Sequence, residues 1–109
     1  MAVRQGGRSR QGTLAVIEGL DPVIHAPKRL ATMAILASAP SASFRFLRDR
    51  LEISESDLSK QMSVLEAADY VTSSKDGHGR GASTTYAMTK EGRRAYQAHC
   101  AALRQLIDG

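Results

Sequence analysis

Tryptophan is missing from this 109-residue chain, and only two phenylalanines and three tyrosines are present. The core is therefore expected to be aliphatic, built from Leu, Ile, Val, Met and Ala. A single cysteine, Cys100, excludes an intramolecular disulfide framework and suits a reducing compartment. No apolar run approaches the roughly 20 residues of a membrane-spanning helix. The stretch Leu14–Ile17 behind Arg4, Arg8 and Arg10 is too short for a secretory signal. The expectation is a cytoplasmic protein with no membrane partner. Catalytic signals are equally scarce, with no acid–base pair, nucleophile motif or metal constellation. His99 and Cys100 point about 100° apart on a helix, and zinc ordinarily takes three or four ligands. Cys100 is read as a buried core or interface thiol, and His25 as structural or incidental. Neither enzymatic activity nor a cofactor or metal is expected.

Hydrophobic residues make up 42% of the chain, enough for one small core. Net charge is +4 and the pI about 9.6, which favours a polyanionic partner. Residues 1–13 are rich in Gly, Gln, Ser and Arg and read as a flexible basic tail, leaving residues 14–109 as the folded domain. A short helix is expected around Leu14 to Leu20, ending near Asp21-Pro22.

Periodicity then predicts three helices. The first covers Pro27 to Ser38, with Leu30, Met33, Ala34 and Ala37 on one face. The second covers Phe44 to Leu51, capped by Ser43 or Ser41, with Phe44, Leu47 and Leu51 inward. After the turn Glu52-Ile53-Ser54, the third covers Glu55 to Ala68 with Ser54 as N-cap. Leu58, Met62 and Leu65 fall within about 60° of one another, while Ser56, Ser59, Lys60 and Ser63 fall on the opposite side. Tyr70–Lys75 and Thr84–Met88 have strand composition. They flank the glycine-rich Asp76–Gly81, so they read as a β-hairpin with a long tip. Its Gly77-x-Gly79-x-Gly81 spacing leads into a strand, which argues against a nucleotide-binding loop. Thr89 caps a last helix running to Ile107. That helix carries two apolar stripes about 125° apart: Tyr96, Cys100, Leu103 and Ile107 on one, Ala95, Ala98, Ala102 and Leu106 on the other. Two stripes imply a second packing partner, and Ala95, Ala98, Ala102 and Leu106 are assigned to a homodimer interface.

The expected fold is mainly α with a small hairpin, a winged helix-turn-helix. Two helices joined by a short turn place the second in the DNA major groove. Short hydroxyls and one lysine suit such a face, because they reach base edges and phosphates without steric conflict. The residues expected to touch double-stranded DNA are Ser43, Arg45, Ser54, Ser56, Ser59, Lys60, Ser63, Lys75, His78 and Arg80. Lys75, His78 and Arg80 sit on the hairpin, where they would meet phosphate or the minor groove. A winged-helix protein-interaction module without DNA readout is the alternative.

The run Asp57-Leu58-Ser59-Lys60-Gln61-Met62-Ser63-Val64-Leu65-Glu66-Ala67-Ala68-Asp69-Tyr70-Val71 resembles the recognition helix and first wing strand of MarR- and ArsR-type regulators. Tyr86-Ala87-Met88-Thr89-Lys90-Glu91-Gly92-Arg93 is similar to the strand-to-helix signature of short, single-domain MarR-like proteins. The resemblance covers roughly Pro22 to Ile107. It implies a homodimeric transcriptional regulator, usually a repressor, on a pseudo-palindromic operator. Ser56, Ser59, Lys60 and Ser63 would then read bases, with His78 and Arg80 on the wing. A small-molecule effector is compatible with this reading, although the sequence identifies none. Glu52 and Asp69 stand where that family usually has glycine, and Lys90 where proline is common.

Overall fold

The computed structural model describes residues 12–77 and 83–109. The element order is α1 (Thr13–Glu18), α2 (Pro22–His25), α3 (Pro27–Ala37), β1 (Ala42–Ser43), α4 (Phe44–Leu51), α5 (Glu55–Ala67), β2 (Val71–Asp76), β3 (Ser83–Met88) and α6 (Lys90–Asp108). The three strands form one antiparallel sheet in the order β1-β3-β2. The mainly helical fold with a hairpin wing is as expected. Two short elements are additional. Helix α2 forms because the Asp21 carboxylate caps it, accepting from the N–H groups of Val23 and Ile24. Strand β1 exists through long-range pairing alone, Ala42 with Tyr86 and Ser43 with Thr85.

The core is aliphatic, with Ile24, Met33, Leu36, Leu47, Leu58 and Leu65 fully buried. The stripe Leu58–Met62–Leu65 of α5 faces inward as its spacing predicts. On α3 the buried residues are Thr32, Met33 and Leu36, and Ala34 is exposed. The inward face is thus turned from the one expected. The buried Thr32 hydroxyl is satisfied by the Lys28 carbonyl at 2.8 Å, which lets a polar residue occupy that face.

Both departures from glycine fall on left-handed backbone. Glu52 has φ 55° and Asp69 has φ 66°. The Glu52 N–H donates to Arg48 O at 2.8 Å, closing α4 before the turn. At the end of α5, Asp69 N–H donates to Glu66 O and Tyr70 N–H to Leu65 O, the paired bonds of a Schellman ending. These bends aim α5 and then the wing.

Helix α6 packs back on the wing root. Its N-cap Thr89 Oγ1 accepts from Gly92 N–H at 2.8 Å and donates to Asp69 O at 2.7 Å. A Cβ on Gly92 would lie 2.0 Å from the Tyr70 carbonyl oxygen, so only glycine fits this crossing. The buried face of α6 contains Gly92 and His99. His99 lies between the two expected apolar stripes, whose half-buried members are the margins of one broad inward face, with Ala98 and Ile107 left exposed. A polar residue at its centre made that face read as two. Cys100 is only half-buried, and the residue removed from solvent is its neighbour His99.

The two special backbone positions respond oppositely to substitution. Gly92→Ala should cost about 3 kcal/mol, the upper end of ordinary overpacking. Glu52→Gly should gain about 0.5–1 kcal/mol, because relief of about 1–2 kcal/mol of left-handed strain exceeds the extra chain entropy that glycine loses on folding. Urea unfolding midpoints of the two variants should move in opposite directions.

Candidate nucleic-acid interface

Helix α5 presents its polar face because the opposite face is locked into the core. Ser56, Ser59, Lys60 and Ser63 are all exposed. Asp57 and Gln61 are held sideways by α3. Lys28 pairs with the Asp57 carboxylate, Gln61 Nε2 donates to Asp57 Oδ1 at 2.9 Å, and Arg29 donates to Gln61 Oε1 at 2.7 Å. Lys28 and then Gln61 hold the Asp57 carboxyl below its ordinary value. The acid in the first turn therefore favours the helix dipole while its charge is balanced.

An open groove of about 480 Å³ runs beside the helix. It is lined by Ser43, Arg45 and Arg48 of the β1–α4 segment, Glu55 of α5, and Ser83 and Thr84 of β3. Ser43 Oγ accepts from Phe46 N–H at 3.0 Å, which selects Ser43 over Ser41 as the cap of α4. Its own O–H remains available to donate. Ser54 likewise caps α5 through Asp57 N–H at 3.1 Å and lies 3.3 Å from Ser56 Oγ. Both serines thus have structural work beside any contact they make. Arg45 is exposed. Ser83 and Thr84 were not singled out in the sequence, since only β1–β3 pairing brings them beside Ser43; Arg48 lies on the helix that Ser43 caps and was not singled out either. Arg48 is engaged by Glu55 at 2.8 Å and by Asp49 at 3.1 Å. Those carboxylates, Asp49 first, raise its already high pKa.

The wing register aims Lys75 at the same side. Val71, Ser73 and Lys75 alternate onto one face of β2, because side chains on a strand repeat every second residue. Val71 is buried in the core, and Ser73 Oγ donates to Glu66 Oε2 of α5 at 3.0 Å. Lys75 is the next residue outward on that face, opposite Thr84 of the groove. It is exposed. His78 and Arg80 lie outside the described residues, as do Arg4, Arg8 and Arg10. The geometry thus brings together a hydroxyl-rich helix face, a groove with two arginines and a lysine on the flanking strand.

A family model for the winged helix DNA-binding domain matches residues 28–107. The chain belongs to the winged helix DNA-binding domain family. Among solved structures, the transcriptional regulator homologue from Pyrococcus horikoshii OT3 is 25% identical, with a TM-score of 0.75 over 80% of this chain and 86% of that one. The PcaV transcriptional regulator from Streptomyces coelicolor, solved with its natural ligand, is 16% identical with a TM-score of 0.68, covering 98% and 73%. The regulator BldR from Sulfolobus solfataricus is 16% identical with a TM-score of 0.65, covering 98% and 77%. No curated protein matches the sequence. The expectation of a winged helix DNA-binding regulator is borne out by the family match and the Pyrococcus neighbour.

The four residues expected at a dimer interface are placed differently from one another. Ala95 is half-buried against the core. Ala102 and Leu106 are half-buried and line crevices beside Val16 of α1, and Ala98 is exposed. The most exposed large apolar residues near them are Leu14 at 76% and Ile107 at 78%, followed by Ile17 at 45%.

The Arg48–Glu55 pair makes a direct prediction. Glu55→Gln removes a carboxylate from the groove and releases Arg48 toward phosphate. DNA affinity should rise on every sequence, and the slope of log K against log salt should steepen by about 0.9, one phosphate's worth. Fluorescence anisotropy over a salt series measures both.

Proposed function

We propose that this chain is a sequence-specific repressor that binds a pseudo-palindromic operator as a homodimer in the cytoplasm, without catalytic activity. The observation that carries the reading is the exposed Ser56–Ser59–Lys60–Ser63 face of α5, backed by a fully buried apolar stripe. In it, α5 enters the major groove, Ser56, Ser59, Lys60 and Ser63 meet base edges, and Ser43, Arg45, Ser54 and Lys75 hold the backbone. His78 and Arg80 extend the contact along the wing. Phosphate contacts set position and strength, and base contacts set sequence preference.

The dimer reading rests on Leu14, Ile17 and Ile107, which expose apolar surface on the terminal helices among the described residues. Ala98 lies exposed on the same helix as Ile107, while Ala95, Ala102 and Leu106 are half-buried. NadR, 19% identical with a TM-score of 0.65 over 90% of this chain and 72% of that one, was solved with 4-hydroxyphenylacetate. That complex and PcaV motivate a small-molecule effector here. The crevices between α1 and α6 measure about 110 and 170 Å³. Ordinary ligand pockets run about 300–1,000 Å³, so an effector site needs surface from a second copy.

Selection of duplexes from a random pool, followed by titration of the selected sequence, tests the reading. Lys60→Ala should cost about 1–3 kcal/mol of discrimination between selected and random DNA. Lys75→Ala should weaken both equally and lower the salt slope by about 0.9. Equal losses from Lys60→Ala would move that residue to the phosphate class. No selected duplex at low salt would favour the protein-interaction alternative. Ile107→Glu should lower the mass seen by light scattering from two chains to one, and an unchanged mass would remove α6's end from the interface.

A further inference from the structure

Away from the DNA face lies a polar run that the fold alone does not require. His99 is 1% exposed. The Asp21 backbone N–H donates to its Nδ1 at 3.1 Å. Nδ1 therefore carries a lone pair, and in the neutral ring the proton sits on Nε2. His99 Nε2 is 3.3 Å from His25 Nδ1, so its N–H donates there. His25 itself is exposed and connects the run to solvent. The Asp21 carboxylate holds the other side: Oδ1 caps α2, and Oδ2 accepts from the Tyr70 hydroxyl at 2.5 Å. Tyr70 immediately precedes β2, and its carbonyl accepts from Thr89 N–H at 3.0 Å where Gly92 crosses. One aspartate thus ties the histidine pair to the root of the wing.

The run has a direction and no room for another proton. A proton added to His99 Nδ1 would confront the Asp21 N–H. That breaks the link between the two residues. The resulting imidazolium also attracts the Asp21 carboxylate away from Tyr70.

We propose that His99, held between Asp21 and His25, is a proton-operated latch, whose protonation detaches Asp21 from Tyr70, loosens the wing root and weakens DNA binding. The effect on DNA rests on the regulator reading above. The charged group acting on His99 is Asp21, the cap of α2; Tyr70 before β2 meets Asp21 and not the rings, and Glu91 of α6 acts in turn on Tyr70. Burial first, then His25, pushes His99 below its ordinary value, and Asp21 opposes them. The unfolded chain takes up this proton near pH 6.5. The latch's contribution to stability is therefore complete above about pH 6.5 and is lost as pH falls through the lower folded value.

The full chain carries His78→Asn in every arm; the wing contact proposed for His78 is then absent throughout, and only the change with pH is compared. The melting temperature should fall from pH 7.5 to 5.5, and much less in His99→Asn, whose Oδ1 keeps an acceptor for Asp21 N–H without titrating. Affinity for one fixed duplex, selected from a random pool at pH 8, should weaken about fivefold over the same range. It should hardly change in His99→Asn. Ordinary electrostatics predicts the opposite sign, because new positive charge strengthens binding to phosphate. Nitrogen-15 NMR of the unsubstituted chain at pH 8 should show Nε2–H tautomers on both rings, a readout that does not depend on the variant folding. A Nδ1–H tautomer on His99, a pH-independent melt, or affinity that rises in acid would overturn the latch. If no duplex is selected at pH 8, the DNA reading fails, and the melt and tautomers still decide the latch.

Discussion

The arrangement of this chain depends on one crossing, where the backbone of Tyr70 lies against Gly92. The end of α5, the start of the wing and the first turn of α6 meet there within hydrogen-bonding distance. Tyr70 closes α5 with its N–H and receives Thr89 with its carbonyl. Its hydroxyl reaches Asp21, whose carboxylate raises the tyrosine pKa to about 12. The angle between recognition helix and wing is thus set by backbone contacts that leave no space for a side chain at residue 92, braced by the Tyr70–Asp21 hydrogen bond. That rigidity matters, because base readout needs α5 and the wing in fixed relation to one duplex.

Charge on the DNA-facing side is organised by the same economy. The recognition helix begins with Glu55 and Asp57, which its dipole favours and a phosphate backbone would repel. Each acid is paired with a base on another element, Glu55 with Arg48 of α4 and Asp57 with Lys28 of α3. These pairs are solvent-facing, so their contribution to stability is small. Their consequence is electrostatic: the acids are balanced, and Lys60, Arg45 and Lys75 remain available for phosphate.

What the sequence revealed and concealed divides along the range of the interactions. The stripe Leu58–Met62–Leu65, the caps Ser54 and Thr89 and the hairpin depend on neighbours within a few residues, and they were legible. Strand β1 was not, because two residues show no period and exist only through Tyr86 and Thr85. Without that pairing, Ser83 and Thr84 cannot be seen to share a groove with Ser43. His99 was missed for a related reason. A histidine in the middle of an apolar arc looks like a gap between two faces until Asp21 and His25 supply its partners. Glu52 and Asp69 were recognisable as glycine positions through family resemblance, and nothing in propensity would have placed those acids in left-handed backbone.

The proposed duplication follows from how little one copy can read. Thirteen residues of α5 span about 20 Å, but its exposed face carries one long basic side chain and three serines. A good bidentate contact supplies about 1–3 kcal/mol of discrimination, and Lys60 makes at most one. Specific DNA binding ordinarily exceeds non-specific binding by about 4–10 kcal/mol. A single α5 falls short of that range even if the serines add modestly. Two copies on two half-sites enter it, with the wing and the α4 groove supplying sequence-independent strength. The apolar residues left open on α1 and α6 lie on the layer that would join such copies. Anything that loosens the tie between that layer and the wing root would act on both half-sites at once.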